Sequence, residues 1–256
     1  MNFKSTNLVL FIALFITGLL HYLFTISGWW FIILIALYVS FLAYGAASIH
    51  SDFFIKAFCY SNTIKKEIAI TFDDGPTYEF TPKVVAVLAE YDAKATFFVI
   101  GKNCRDNETI LKKMDAEGHT IGNHTYSHSF FIDFKSKEEF KKELKKTSDF
   151  VYQTISKRMK LFRPPYGVTT PHLAKASREA GYAVIGWNIR SMDTTNANEE
   201  KIVKTVLKGL KPGAVVLFHD TSEKTINVLR QTLQFAKQNG FKIVSLQTLL
   251  NIEPYE

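Results

Sequence analysis

Ile68-Ala69-Ile70-Thr71-Phe72-Asp73-Asp74-Gly75-Pro76 is the stretch on which the fold turns. Its first five residues carry no charge and read as a buried strand, which two carboxylates and a Gly-Pro turn then end. Thr81-Pro82 supplies an N-cap and a first-turn proline for a helix carrying Val84, Val85 and Leu88. A second strand is expected from Ala95 to Ile100, and a second helix from about Asn107 to near Gly118. Outward from this unit the pattern repeats. Strands are expected around 120–121, 161–162, 183–187, 214–218 and 242–244, and helices around 138–155, 172–180, 198–209 and 224–238. Strands alternating with helices argue for a parallel α/β sheet, and about seven such units argue for a barrel rather than a short open sheet.

Before this region the chain has a different character. No Asp, Glu, Lys or Arg occurs from Ser5 to Ser51, and the apolar stretches Leu8 to Ile26 and Trp29 to Ala47 are divided by Ser27-Gly28. Each stretch is close to the roughly 20 residues that cross about 30 Å of hydrocarbon. A cleavable signal peptide has one short apolar core, whereas here a second full-length stretch follows directly. The expectation is a transmembrane helical hairpin, with Trp29, Trp30 and Tyr44 as interfacial aromatics, rather than a buried hairpin of a soluble core. Residues 1–50 are therefore read as a membrane anchor touching lipid through residues 8–47, 51–66 as a linker and 67–256 as the folded domain.

The 256 residues carry a net charge of +7, with 47% hydrophobic and 21% charged residues, which excludes a disordered chain. Cys59 and Cys104 are too few for a disulfide framework and lack zinc-finger spacing. The densest basic cluster, Lys135 to Lys146, opens with a capping box at Ser136 and Glu139 and places Phe140, Leu144 and Val151 at helical spacing. With Glu138 and Lys142 paired a turn apart, it reads as a solvated amphipathic helix, not a nucleic-acid patch. No nucleic-acid or protein partner is expected.

Chemistry-bearing side chains fall just after expected strands: Asp73-Asp74, His124 with His128, Arg163, Asp193 and His219-Asp220. In barrels that is where active sites sit. His124 and His128 are four apart, so one helical turn would present both imidazoles to a single metal. A carboxylate from Asp73 or Asp74 completes two histidines and one carboxylate, leaving positions open for water and substrate. The same set suits a non-haem iron oxygenase, but a second carboxylate and a remote histidine favour hydrolysis. His119, beside Gly118, reads as a helix-end histidine favoured by the dipole, and Asp220 as a partner of nearby backbone.

Thr71-Phe72-Asp73-Asp74-Gly75-Pro76, His124-Thr125-Tyr126-Ser127-His128, Arg163-Pro164-Pro165-Tyr166-Gly167 and Leu217-Phe218-His219-Asp220 resemble, in that order, the motifs of the NodB-like polysaccharide deacetylases, carbohydrate esterases of family four. The resemblance spans roughly Glu67 to Leu250 and implies a distorted (β/α) barrel. It implies that Asp74, His124 and His128 hold one divalent metal ion, usually zinc, and that Asp73 is the catalytic base. Arg163 would orient Asp73, and the Tyr166 backbone N–H would hold the oxyanion. His219 would be the general acid, kept protonated by Asp193, and Leu217 an apolar wall for the acetyl methyl. Arg190 and Thr194 depart from the pattern, standing where many relatives carry Asp and Trp. Arg190 is expected in a surface salt bridge, or else on a substrate phosphate or carboxylate.

The activity implied is removal of N-acetyl groups from N-acetylglucosamine units of a glycan: peptidoglycan, a chitooligosaccharide, or a surface or lipid-linked polysaccharide. The alternatives are an O-acetyl carbohydrate esterase and an inactive glycan-binding protein on the same barrel. Lys4, Lys56, Lys65 and Lys66 flank the hairpin, so charge bias places both ends in the cytoplasm, while family precedent places the domain outside. The expectation is a multi-pass cell-membrane protein with its catalytic domain extracytoplasmic.

Overall fold

The computed structural model describes residues 2–256. Two apolar helices come first, α1 (Phe3–Phe24) and α2 (Trp29–Ala47). The domain that follows runs β1 (Ala57–Phe58), β2 (Glu67–Asp73), α3 (Thr81–Glu90), β3 (Thr96–Val99), α4 (Gly101–Asp106), α5 (Glu108–Ala116), β4 (Thr120–Asn123), α6 (Lys137–Ile155) and β5 (Leu161–Phe162). It continues with α7 (Pro171–Glu179), β6 (Ala183–Ile185), β7 (Ile189–Arg190), α8 (Glu199–Gly209), β8 (Val215–His219), α9 (Glu223–Gln238), β9 (Lys242–Ile243) and α10 (Leu246–Leu250).

Every strand ladder is parallel, in the order β1-β6-β5-β4-β3-β2-β8-β7, with β9 beside the start of β2. Only Gly186, Trp187 and Asn188 separate β6 from β7, so the two are halves of one bent strand. Its first half pairs with β5 and its second with β8, which joins the two ends of the sheet. The result is the expected distorted barrel. The bend and β1 were invisible to strand-pattern reading because each strand piece there is two or three residues long.

Side chains alternate across the barrel wall with the period of a strand. From β2, Ile68, Ile70 and Phe72 point outward and pack with Val84, Leu88 and Leu229 of the surrounding helices. Ala69 points inward with Phe98, Leu217 and Trp187. Phe72 stacks between Phe97, at 5.0 Å, and Phe218, at 5.8 Å. Burying each such ring contributes about 1.5–3 kcal/mol. The capping box of α6 forms as expected at Ser136 and Glu139, whereas Glu138 pairs with its neighbour Lys137, at 3.1 Å, and not with Lys142. Thr81 does not cap α3. It is already helical, and its hydroxyl accepts the Thr77 N–H and donates to Asp220.

The apolar helices form a hairpin joined by a Tyr38 hydroxyl bond to Asn7, 2.8 Å, and both are long and apolar enough to cross a membrane. Their outer faces are bare, with Phe11 71% and Trp29 69% exposed. The base of the hairpin is bonded to the domain. Phe3 N–H donates to Phe53 O at 2.9 Å, Thr169 N–H to Ala46 O at 3.0 Å, and the Thr169 hydroxyl to Gly45 O at 3.2 Å. The stretch expected as a linker is packed: Phe53 and Cys59 are buried, and Ala57–Phe58 joins the sheet. Cys59 and Cys104 are free and buried.

Ser61 and Gly213 tie this stretch to the start of β8. Gly213 donates to Glu67 O at 2.8 Å and accepts from Ser61 N–H at 2.9 Å, at a φ of +80°. A Cβ there would lie 1.9 Å from Ser61 O. Gly213→Ala is therefore expected to destabilise the domain by at least about 2 kcal/mol, read as a lowered thermal midpoint, whereas Gly240→Ala, at a similar φ but in open space, costs less.

Candidate active site

Asp73 ends β2, His124 follows β4, Arg163 follows β5, Asp193 follows β7 and His219 ends β8, so all gather at the C-terminal ends of the parallel strands. Inside the barrel lies Arg163, wholly buried. Its Nη1 donates to Asp73 Oδ1 and to Thr71 Oγ1, both at 2.8 Å. Nη2 donates to Gly186 O at 2.8 Å and Nε to Ile185 O at 3.3 Å, while the Phe98 ring lies 4.2 Å from the guanidinium. Burial draws the Arg163 pKa down and the Asp73 charge opposes that shift. With Oδ1 held, Asp73 keeps Oδ2 directed toward His124 Nε2, 3.8 Å away.

The Asp74 carboxylate faces both histidines. Its Oδ1 is 3.5 Å from His124 Nε2 and 3.3 Å from His128 Nε2. His124 Nδ1 donates to Arg163 O at 2.7 Å, which orients the ring with Nε2 toward Asp74. Burial would raise the Asp74 carboxyl, but the imidazoles around it, His124 foremost and then His219 and His128, hold it far below the usual range. His128 is lowered by burial and by His124. Asp74 Oδ1 is buried without a hydrogen-bond partner, and one ligand atom from each of the three residues lies within 4.8 Å of the others. Two imidazoles and an unpaired carboxylate oxygen fit a divalent cation.

The helical turn expected to align the two histidines does not exist. Thr125 and His128 both adopt positive φ, +65° and +46°, so a tight loop brings the rings together. Glu143 holds that loop, and the sequence reading missed it. From α6 its carboxylate accepts Tyr126 N–H at 3.0 Å, Ser127 N–H at 2.7 Å and the Ser127 hydroxyl at 2.9 Å, with Lys135 Nζ at 2.6 Å. The signal was available, because Glu143 falls on the same buried face as Phe140, Leu144 and Val151. Further positive φ angles at Asp74, Tyr166 and Met192 put backbone strain around the site.

Across the pocket His219 Nδ1 donates to Asp193 Oδ1 at 2.8 Å. Asp193 Oδ2 accepts His219 N–H at 2.8 Å and the Thr225 hydroxyl at 2.9 Å, and Ser191 bonds Oδ1 at 2.8 Å. Burial lowers the imidazole, but the Asp193 hydrogen bond and charge win and raise it; the Asp193 carboxyl, raised by burial, ends below its ordinary value through the same partner. Leu217, two residues before His219, is buried on the inner face. Tyr166 lies with its ring 4.8 Å from that of His128. The bonds closing its turn run from Gly167 N–H to Pro164 O and from Val168 N–H to Pro165 O, and neither uses the Tyr166 N–H.

The remaining polar residues fall out differently. Asp220 is buried, accepts the Thr81 hydroxyl and is pushed up to about 7 by burial, which makes it a support of the loop after β2. His119 is no dipole partner: it accepts Ala95 N–H at 3.2 Å and burial lowers it to about 4, so it is neutral. Arg190 is exposed, 5.9 Å from the Trp187 ring, and has no ion pair among the described residues, and Thr194 is also exposed.

A family model described as polysaccharide deacetylase matches residues 60–185. A peptidoglycan-N-acetylglucosamine deacetylase of Bacillus cereus is 32% identical over 198 residues, covering 75% of this chain and 72% of that protein. The peptidoglycan-N-acetylmuramic acid deacetylase PdaA of Bacillus subtilis is 32% identical over 199 residues, covering 76% and 75%. The crystal structure of a peptidoglycan N-acetylglucosamine deacetylase superposes with a TM-score of 0.74 at 31% identity, over 78% of this chain and 94% of that one. On motifs, barrel and relatives together, the chain belongs to the polysaccharide deacetylase family.

Proposed function

We propose that the protein is a metal-dependent hydrolase that removes N-acetyl groups from N-acetylglucosamine units of a peptidoglycan-like glycan, releasing acetate. The observation carrying this reading is the convergence of three groups on one pocket: the Asp74–His124–His128 cluster, Asp73 held by Arg163, and His219 held by Asp193. The named relatives act on N-acetylated glycans, which supports the substrate class.

Asp74, His124 and His128 would hold a divalent ion, zinc by preference, since imidazole and carboxylate suit it. When bound, such an ion polarises a carbonyl and lowers the pKa of a bound water from 15.7 to about 7. Asp73, fixed through Oδ1, uses Oδ2 to take the proton of the attacking water. The Tyr166 N–H faces the developing oxyanion, a donor of the kind worth about 2.7–4 kcal/mol. Leu217 bounds the acetyl methyl. Nε2 of His219 delivers a proton to the departing amine, which leaves poorly without one. An O-acetyl ester has a better leaving group and would depend less on His219. Thr194, exposed where many relatives carry a tryptophan, offers no aromatic ring to a sugar at that position. We place the hairpin in the cell membrane as an anchor, with the domain outside the cytoplasm, where peptidoglycan lies.

Asp73→Asn is expected to lower turnover by about 10²–10⁴ while metal content, by elemental analysis, stays near that of the unmodified protein. It also lowers the thermal midpoint, since Arg163 loses its buried counter-charge. His124→Ala should instead lose the metal, so metal retained after dialysis against chelator would remove His124 from the ligand set. The proton on His219 persists to higher pH because Asp193 raises its pKa. Asp193→Asn therefore moves the alkaline limb of the kcat/KM profile to lower pH, and an unmoved limb would show that His219 is not the acid.

A further inference from the structure

Three phenylalanines stand out from the rim of the pocket. Phe130 is 76% exposed, Phe131 66% and Phe134 85%, on the loop that begins two residues after His128. Their rings touch in series, at 5.2 Å and 6.5 Å between centroids. The loop is built to keep them out. Ile132 beneath them is fully buried with Phe140 and Leu144, and bonds from Ile132, Phe134 and Lys135 N–H groups close its turns. A cluster of large apolar side chains on an ordered loop marks an interaction surface.

The hairpin is rooted on the same rim. Thr169, which bonds Gly45 and Ala46 at the end of α2, lies three residues after Tyr166, and the Tyr166 ring packs on His128. A continuous path therefore runs from the apolar helices through Thr169 and Tyr166 to the phenylalanine loop. Around the hairpin base a cavity of about 510 Å³ is lined by Lys4, Lys56, Lys175 and Arg178. The acidic member of that lining, Asp52, gives its carboxylate to Ala57 N–H at 3.0 Å. Bare aromatic rings on a loop linked to the hairpin base through Tyr166 and Thr169, together with a basic collar around that base, match the apolar and anionic layers of a phospholipid surface.

We propose that the mouth of the active site is seated on the lipid surface of the membrane that holds the hairpin, with Phe130, Phe131 and Phe134 inserted at the headgroup level. The inference rests on the anchor reading above. It narrows the substrate to glycan presented at the membrane face, either lipid-linked or in the nearest layer of the wall.

The test uses the full chain in vesicles of phosphatidylethanolamine and phosphatidylglycerol. A fluorophore is placed on one introduced cysteine at a time: Phe131→Cys at the rim, Ile35→Cys in the hairpin, and Ile64→Cys at the opposite end of the sheet, where the side chain is 95% exposed. Cys59 and Cys104 are buried and stay unlabelled. Brominated lipids are expected to cause loss of fluorescence at positions 35 and 131 but not at 64. An unquenched label at 35 overturns the anchor and the docking together, and quenching at 35 with 131 no more affected than 64 overturns the docking alone. A Phe131→Ser, Phe134→Ser variant should keep its rate on a soluble N-acetylglucosamine oligomer and lose rate on vesicle-bound glycan. Equal loss on both would make the loop a sugar-stacking platform and overturn the proposal.

Discussion

A single cation inside the barrel sets the geometry of everything around it. Withdrawing Arg163 and Asp73 from water costs several kcal/mol per ion, a cost offset only where geometry is good and the remaining polar atoms are satisfied. Here Nη1, Nη2 and Nε donate to Asp73, Thr71, Gly186 and Ile185. Those partners come from β2, from β6 and from the bend after it, so the ion pair also determines how the wall closes. The arrangement allows one pose for the Asp73 carboxylate, and its second oxygen faces the site. Because the carbonyl of Arg163 accepts from His124 Nδ1, the same residue also orients an imidazole on the neighbouring loop.

Around that rigid centre, short loops are held in unfavourable backbone conformations by bonds from outside. Ile100 N–H reaches Gly75 O, and Gly101 and Lys102 N–H groups reach Thr125 O and Tyr126 O, so the start of α4 ties down the loops after β2 and β4 together. Glu143 does the same from α6. Positive φ at Asp74, Thr125 and His128 is stable only under such over-determination. Stiffness is what two imidazoles and a carboxylate need to meet at one point.

Most of this was legible in the residues. Periodic apolar runs located the long strands and helices, and the placement of Asp73, His124, Arg163, Asp193 and His219 after strands located the pocket. Three things were not legible, each for a physical reason. The bent strand is too short in each half to show alternation. The His124–His128 spacing fits a helix as well as a loop, and only the left-handed residues distinguish them. Thr81 matches a cap by type, yet its hydroxyl serves Asp220, a partner 139 residues away that no local pattern can reveal. Glu143 is the opposite case: a charge on a buried helical face was visible, and its meaning depended on the loop above it.

The strand order also describes how the domain is made. From β2 through β3, β4, β5 and β6, each new strand is added beside the previous one as the chain lengthens, so a ribosome can lay down this part of the wall in sequence. The other edge of β2 stays open until β8 arrives, because Ala69 waits for Val215 and Asp73 for His219. During synthesis the nascent sheet therefore carries an unpaired edge along its central strand, the kind that neighbouring chains can join. That edge is covered only when Val215–His219 pairs along it.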